Sequence, residues 1–159
     1  MSVQLPVDLY SVDQLSAVIL ELREYSSQLR DAAVREKSGH TAKEPPHVSA
    51  LLLGVLHGAG IRQGNRAELE TLVKELETLR AKANVAHVTL AALPNRTFKR
   101  QLTVWFRAEV DPAMFLTFAM RSDIGGGVIV QAGSRLYDFS FRRALLANKQ
   151  RIAELFGNV

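Results

Sequence analysis
DIGGGVIVQAGSRLYDFSFRRAL, residues Asp123 to Leu145, is the stretch on which the fold turns. Its three adjacent glycines, Gly125, Gly126 and Gly127, allow the backbone positive φ or a close pass against another segment, both of which a Cβ resists. A bend is expected there. Val128, Ile129 and Val130 form an apolar β-branched run, Ala132-Gly133-Ser134-Arg135 offers a turn, and Leu136-Tyr137 starts a return strand, so the segment reads as a hairpin. Asp138 and Ser140 follow, and either can accept hydrogen bonds from the free amides of a helix running through Leu145 to about Phe156. The unit carries no catalytic signature.

Working back from the glycines, Ala113 to Met120 is an apolar run of strand length, with Phe115 and Phe118 in it. Before it, Arg96 to Glu109 reads as a helix entered at Pro94-Asn95, with Phe98, Leu102, Trp105 and Phe106 on one face and expected in the core. Val85 to Ala92, free of charge and rich in small and β-branched residues, reads as a strand. The order strand, helix, strand, strand, strand, helix describes a small α/β domain over residues 84–159, with about four strands and two helices.

Residues 1–83 have a different texture. Ser11 and Gln14 have capping-box spacing ahead of an apolar stripe at Leu15, Ile19, Leu22, Tyr25, Leu29 and Ala33. Residues 36–46, EKSGHTAKEPP, read as a loop. Pro46 fits the first turn of a second helix, expected to be buried because Val48, Leu51, Leu52, Leu53, Val55 and Leu56 leave almost no polar face before Gly58 and Gly60. Asn65 and Glu68 open a third stripe of Leu69, Leu72, Val73, Leu76 and Leu79. The expected fold is α+β: a small helical bundle, then the α/β domain.

Composition narrows the function classes. At 159 residues and 47% hydrophobic content, the chain can bury one ordinary core or two small ones. It has no cysteine, which removes disulfides and thiolate metal sites and fits a reducing compartment. MSVQLPVDLY lacks the basic start and apolar core of a signal peptide, and no apolar run approaches the roughly 20 residues of a membrane helix. Charge is uneven: residues 1–83 carry 10 basic and 11 acidic side chains, residues 84–159 carry 10 and 5. A basic half suits nucleic acid, an anionic surface or an acidic protein partner.

Known chemistries find little support. The triple glycine is followed by a strand pattern, without the lysine and serine or threonine of a phosphate loop. His40, His47, His57 and His87 lack metal-ligand spacing; His57 reads as a core or helix-end residue and His87 as a strand residue. Gly133-Ser134 lacks a nucleophile elbow. Arg96, Lys99, Arg100 and Arg107, with Arg135, Arg142, Arg143, Lys149 and Arg151, leave a small basic RNA-binding module as the alternative, opposed by aromatics that read as core.

The hairpin segment also resembles the C-terminal signature of the delta subunit of F-type ATP synthases, the family of the mitochondrial oligomycin sensitivity-conferring protein. That family shows a glycine pair, an aliphatic strand, a glycine turn, a Tyr-Asp-Gly-Ser-like step and a helix with basic residues and a leucine. Gly126, Gly127, Val128 to Val130, Gly133, Tyr137, Asp138, Ser140, Arg142 and Leu145 fall on those positions without a gap. Phe139 stands where the family usually has glycine, so the turn there must take a conformation a bulky residue tolerates.

The resemblance implies a non-catalytic peripheral-stalk subunit that joins the catalytic head to the b-type stalk and resists rotary torque in proton-driven ATP synthesis. Its implied partners are the N-termini of the head's alpha subunits and the b-type stalk subunits, with no nucleic acid, cofactor, metal or catalytic residue. The implied location is the cytoplasmic face of a bacterial plasma membrane, peripheral through the complex. The family's helical domain has six helices, whereas about 83 residues precede the first strand here, room for three. The earliest helix, which contributes to the family's alpha-subunit groove, has no counterpart among them.

Overall fold
A computed structural model of the chain describes residues 4–38, 47–61 and 66–148. The fold is α+β, in two units: Met1–Ala83 and Asn84–Val159.

The first unit holds α1 (Val12–Lys37), α2 (Ala50–Gly58) and α3 (Arg66–Ala81). Ser11 caps α1 as its spacing predicts: Ser11 Oγ accepts from the Gln14 amide at 3.2 Å and Gln14 Oε1 from the Ser11 amide at 3.1 Å. Such a cap contributes about 1 kcal/mol. Leu15, Val18, Ile19, Leu22 and Tyr25 form the buried stripe, Leu29 is half-buried and Ala33 is exposed, so the last turns of α1 stand in water. The second helix starts later than its sequence suggests. Pro46 lies outside the described residues, and the cap is Ser49, whose Oγ accepts from the Leu52 amide at 3.2 Å and donates to Glu21 Oε2 of α1 at 2.7 Å. Leu52, Val55 and Leu56 are buried but Leu53 is exposed, so α2 is amphipathic and not enclosed all round. In α3, Leu69, Leu72 and Leu76 face inward, and an Arg23–Glu77 ion pair ties α1 to α3. Asn65, the expected cap, lies outside the described residues.

The second unit runs β1 (Val85–Leu90), α4 (Arg96–Glu109), β2 (Phe115–Met120), a 3-10 turn (Ser122–Ile124), β3 (Gly127–Ala132), β4 (Arg135–Ser140) and α5 (Phe141–Ala147). Its sheet order is β2-β1-β3-β4. β1 and β2 are parallel, joined through α4, while β3 is antiparallel to both β1 and β4. Strand pleating puts alternate residues on one face. Ala86 and Val88 of β1, Leu116 of β2, and Val128, Val130 and Ala132 of β3 therefore share the face on which Phe106 and Leu102 of α4 pack, with Met114. α4 has the bounds its sequence predicts because Asn95 caps it, Oδ1 accepting from the Phe98 amide at 2.8 Å. Strand β4 is longer than Leu136-Tyr137 alone suggests, because its pairing with β3 continues to Ser140 opposite Gly127.

Candidate functional site
Part of the quoted signature meets at one corner, where β3, β4 and α5 join. Gly125, Gly126 and Gly127 have φ of +68°, +133° and +79°. At Gly127 a Cβ would sit 2.3 Å from the Phe139 carbonyl oxygen, so glycine is what lets β4 cross there. The Phe141 ring fills the space beside Gly126, where a Cβ would come within 2.5 Å of it. Gly133, at φ +57°, opens the two-residue hairpin loop, a place where positive φ matches the twist of the strands.

Phe139 departs from the family pattern without strain. It lies within β4 opposite Val128 and does not need the left-handed conformation. The step into α5 is built by its neighbours. Asp138 Oδ1 accepts from the Ser140 amide at 2.9 Å, Ser140 Oγ from the Arg143 amide at 3.4 Å, and Arg143 Nη1 donates to the Asp138 carbonyl at 3.2 Å. Asp123 binds from the other side: Arg121 donates to both its oxygens, at 3.1 and 2.6 Å, and Arg142 Nη1 donates to Oδ2 at 3.1 Å. The Arg121 hydrogen bonds hold the Asp123 carboxyl below its usual range, and Ser140, by its hydroxyl and then its amide, does the same to Asp138. Gly126, Gly127, Asp138, Ser140 and Arg142 are thus brought together at one brace, while Gly133 lies at the opposite end of the β3–β4 pair, in the hairpin loop. Leu145 falls within α5, and its side chain lies outside the described residues.

Tyr137 takes no part in that brace. By register it shares the α4 face of the sheet with Phe139, and the two are 44% and 65% exposed. Here the structure corrects the sequence reading of α4. Leu102 and Phe106 pack on the sheet, but Phe98 and Trp105 are 41% and 54% exposed, Trp105 meeting the Phe106 ring edge-on at 5.0 Å between centroids. The helical arc is as wide as expected, yet only half of it faces the sheet.

The other flank of α4 fixes its orientation. Arg107 is largely buried, with its guanidinium 5.9 Å from the Phe115 ring centroid and its Nε donating to the Met114 carbonyl at 3.4 Å, beside edge strand β2. Burial pushes its pKa down. Arg96, Arg100 and Arg107 share that flank, roughly 140–180° around the helix from Phe98 and Trp105 at about 100° per residue. The aromatic flank accordingly turns toward β3 and β4. By that orientation and the sheet order, Phe98 and Trp105 of α4 and, across β3, Tyr137 and Phe139 of β4 leave an exposed aromatic strip, the trough, with the half-buried Val128 and Val130 between them. Trp105 and Phe98 were missed as surface residues because periodicity gives the apolar arc without saying which part a sheet will cover.

His47 and His57 are exposed, the latter in the last turn of α2, and His87 is exposed on β1; His40 lies outside the described residues. Among the described residues no group of three or more His, Asp or Glu side chains could hold a metal ion, and no helix is long and apolar enough to cross a membrane. No protein-family model matches the chain, and no curated protein matches it.

Proposed function
We propose that this chain is a non-catalytic peripheral-stalk subunit of an F-type ATP synthase of the delta type, acting mechanically between the catalytic head and the b-type stalk. The observation that carries the reading is the brace itself: Gly126, Gly127, Asp138, Ser140 and Arg142 of the resemblance meet at one corner, and Phe139 fits it without needing the family's glycine. The trough beside it supports a helix-receiving role, since exposed aromatics along one strip are what an amphipathic helix buries. In this reading the basic α/β unit meets the stalk at the trough, and the helical unit meets the head. An apolar hollow lined by Ala59, Ile61, Ala67 and Leu72, with Glu68 and Glu75 beside it, is the surface the helical unit offers. The protein works at the cytoplasmic face of a bacterial plasma membrane, held there by the complex.

Exposure of Phe98 and Trp105 favours a second reading, a small RNA-binding module that stacks bases on them. Against it, the arginines of α4 occupy the opposite flank, and Arg107, Arg121, Arg142 and Arg143 are engaged within the fold. One purification separates the two. Tagged chain recovered from detergent-solubilised membranes should bring b-type and alpha subunits with it; recovery of RNA that salt releases, with no ATP synthase subunit, would overturn the stalk assignment.

A further inference from the structure
Among the described residues β4 is the last strand of the sheet, and one of its sides has no strand partner among them. Which main-chain groups face that side follows from a single bond. The Phe141 amide donates to the Gly126 carbonyl at 3.0 Å, one step beyond the Gly127–Ser140 pair and in the same register. Bonded and non-bonded positions alternate along an antiparallel pair. Arg135, Tyr137 and Phe139 therefore turn their main-chain groups to β3, and Leu136, Asp138 and Ser140 turn theirs outward.

Two of those outward groups are already filled. The Ser140 amide donates to Asp138 Oδ1 at 2.9 Å, and the Asp138 carbonyl accepts from Arg143 Nη1 at 3.2 Å. The strand otherwise has the makings of an adhesive edge. It contains no proline or lysine, its register with β3 runs without a bulge, and Leu136 is 65% exposed on one face with Tyr137 and Phe139 exposed on the other. It is also self-complementary. Antiparallel pairing of two copies about Asp138 would set Tyr137 of each against Phe139 of the other and Leu136 against Ser140, and only Asp138 would meet its own like charge.

We propose that Asp138 and Arg143 form an edge lock: by filling the outward main-chain positions of β4, they prevent that strand from pairing with β4 of a second copy of this chain. The signature Asp thereby has a second task besides starting α5. This concerns only the edge of β4 and stands apart from the stalk reading, so either can fail alone.

Sedimentation velocity on the full chain over a wide concentration range tests it. The wild type should stay monomeric, while Asp138→Ala/Arg143→Ala should self-associate at least about tenfold more tightly, a change of the size one recovered hydrogen bond gives. Adding Leu136→Lys to that pair should restore the monomer, because a charge at the edge opposes pairing. A folded double variant, by circular dichroism, that remains as monomeric as wild type would overturn the lock. So would association that Leu136→Lys leaves intact and Trp105→Ala abolishes, which would place the contact at the trough. If the double variant does not fold, Arg143→Ala decides by the same readout, because it opens the Asp138 carbonyl and leaves the Ser140–Asp138 bond in place.

Discussion

The corner at α5 and the trough beside α4 lie in one unit and are built on opposite principles. At the corner, the polar groups of Asp123, Asp138, Ser140, Arg142 and Arg143 are spent on one another, and the glycines admit close contacts. Along the trough, Phe98, Trp105, Tyr137 and Phe139 keep between two-fifths and two-thirds of their surface in water. The most recognisable residues are therefore scaffold, and the surface left exposed is written in less distinctive ones. A signature can identify a fold without marking where that fold makes contact.

The sharpest contrast is between two adjacent residues. Phe106→Ala empties the core under α4 and should cost about 3–5 kcal/mol in urea unfolding followed by circular dichroism, whereas Trp105→Ala should cost less than about 1 kcal/mol. Equal costs would mean that Trp105 is core after all and would dissolve the distinction. Next in size is Gly127→Ala, where positive φ and the Phe139 carbonyl both oppose a Cβ; a loss of roughly 2–4 kcal/mol is expected by the same melt. Trp105→Ala should then weaken binding to isolated b-type stalk subunits by roughly 2 kcal/mol in calorimetric titration, as an interface anchor would. An unchanged affinity would detach the trough from the stalk.

The smallest effect concerns acid. Asp123 and Asp138 titrate below the ordinary carboxylate value in the folded chain, so their ionised forms stabilise it at neutral pH. That contribution is lost as pH falls from about 4 through the lowered native values. The drop in melting temperature between neutral and acidic buffer should be smaller in Asp123→Asn/Asp138→Asn than in wild type. An identical drop would mean that the brace contributes nothing through its charges.

The parts legible in the sequence are those governed by neighbours along the chain. Ser11 with Gln14 and Asn95 with Phe98 close their caps within three residues, and α1 and α4 begin where those pairs predict. The glycines were readable because positive φ and close approach each leave few alternatives to glycine. What stayed hidden depended on distant partners. α2 starts at Ala50 because Ser49 caps it through the Leu52 amide, and the distant part is only that Ser49 is also held by Glu21 of α1. β4 extends to Ser140 because β3 pairs with it to the end. Trp105 faces water because the sheet covers the opposite part of the arc, with Arg107 turned to the β2 side. Arg143 read only as a basic residue, and its bond to the Asp138 carbonyl appears once α5 turns back on β4.

The proposed role is mechanical, so coupling is the quantity that tests it. Inverted membrane vesicles from a strain lacking this protein should hydrolyse ATP at their catalytic heads yet fail to make ATP from an imposed proton gradient, and adding the purified chain should restore synthesis. Proton-driven synthesis that proceeds at the wild-type rate without the chain would contradict the account.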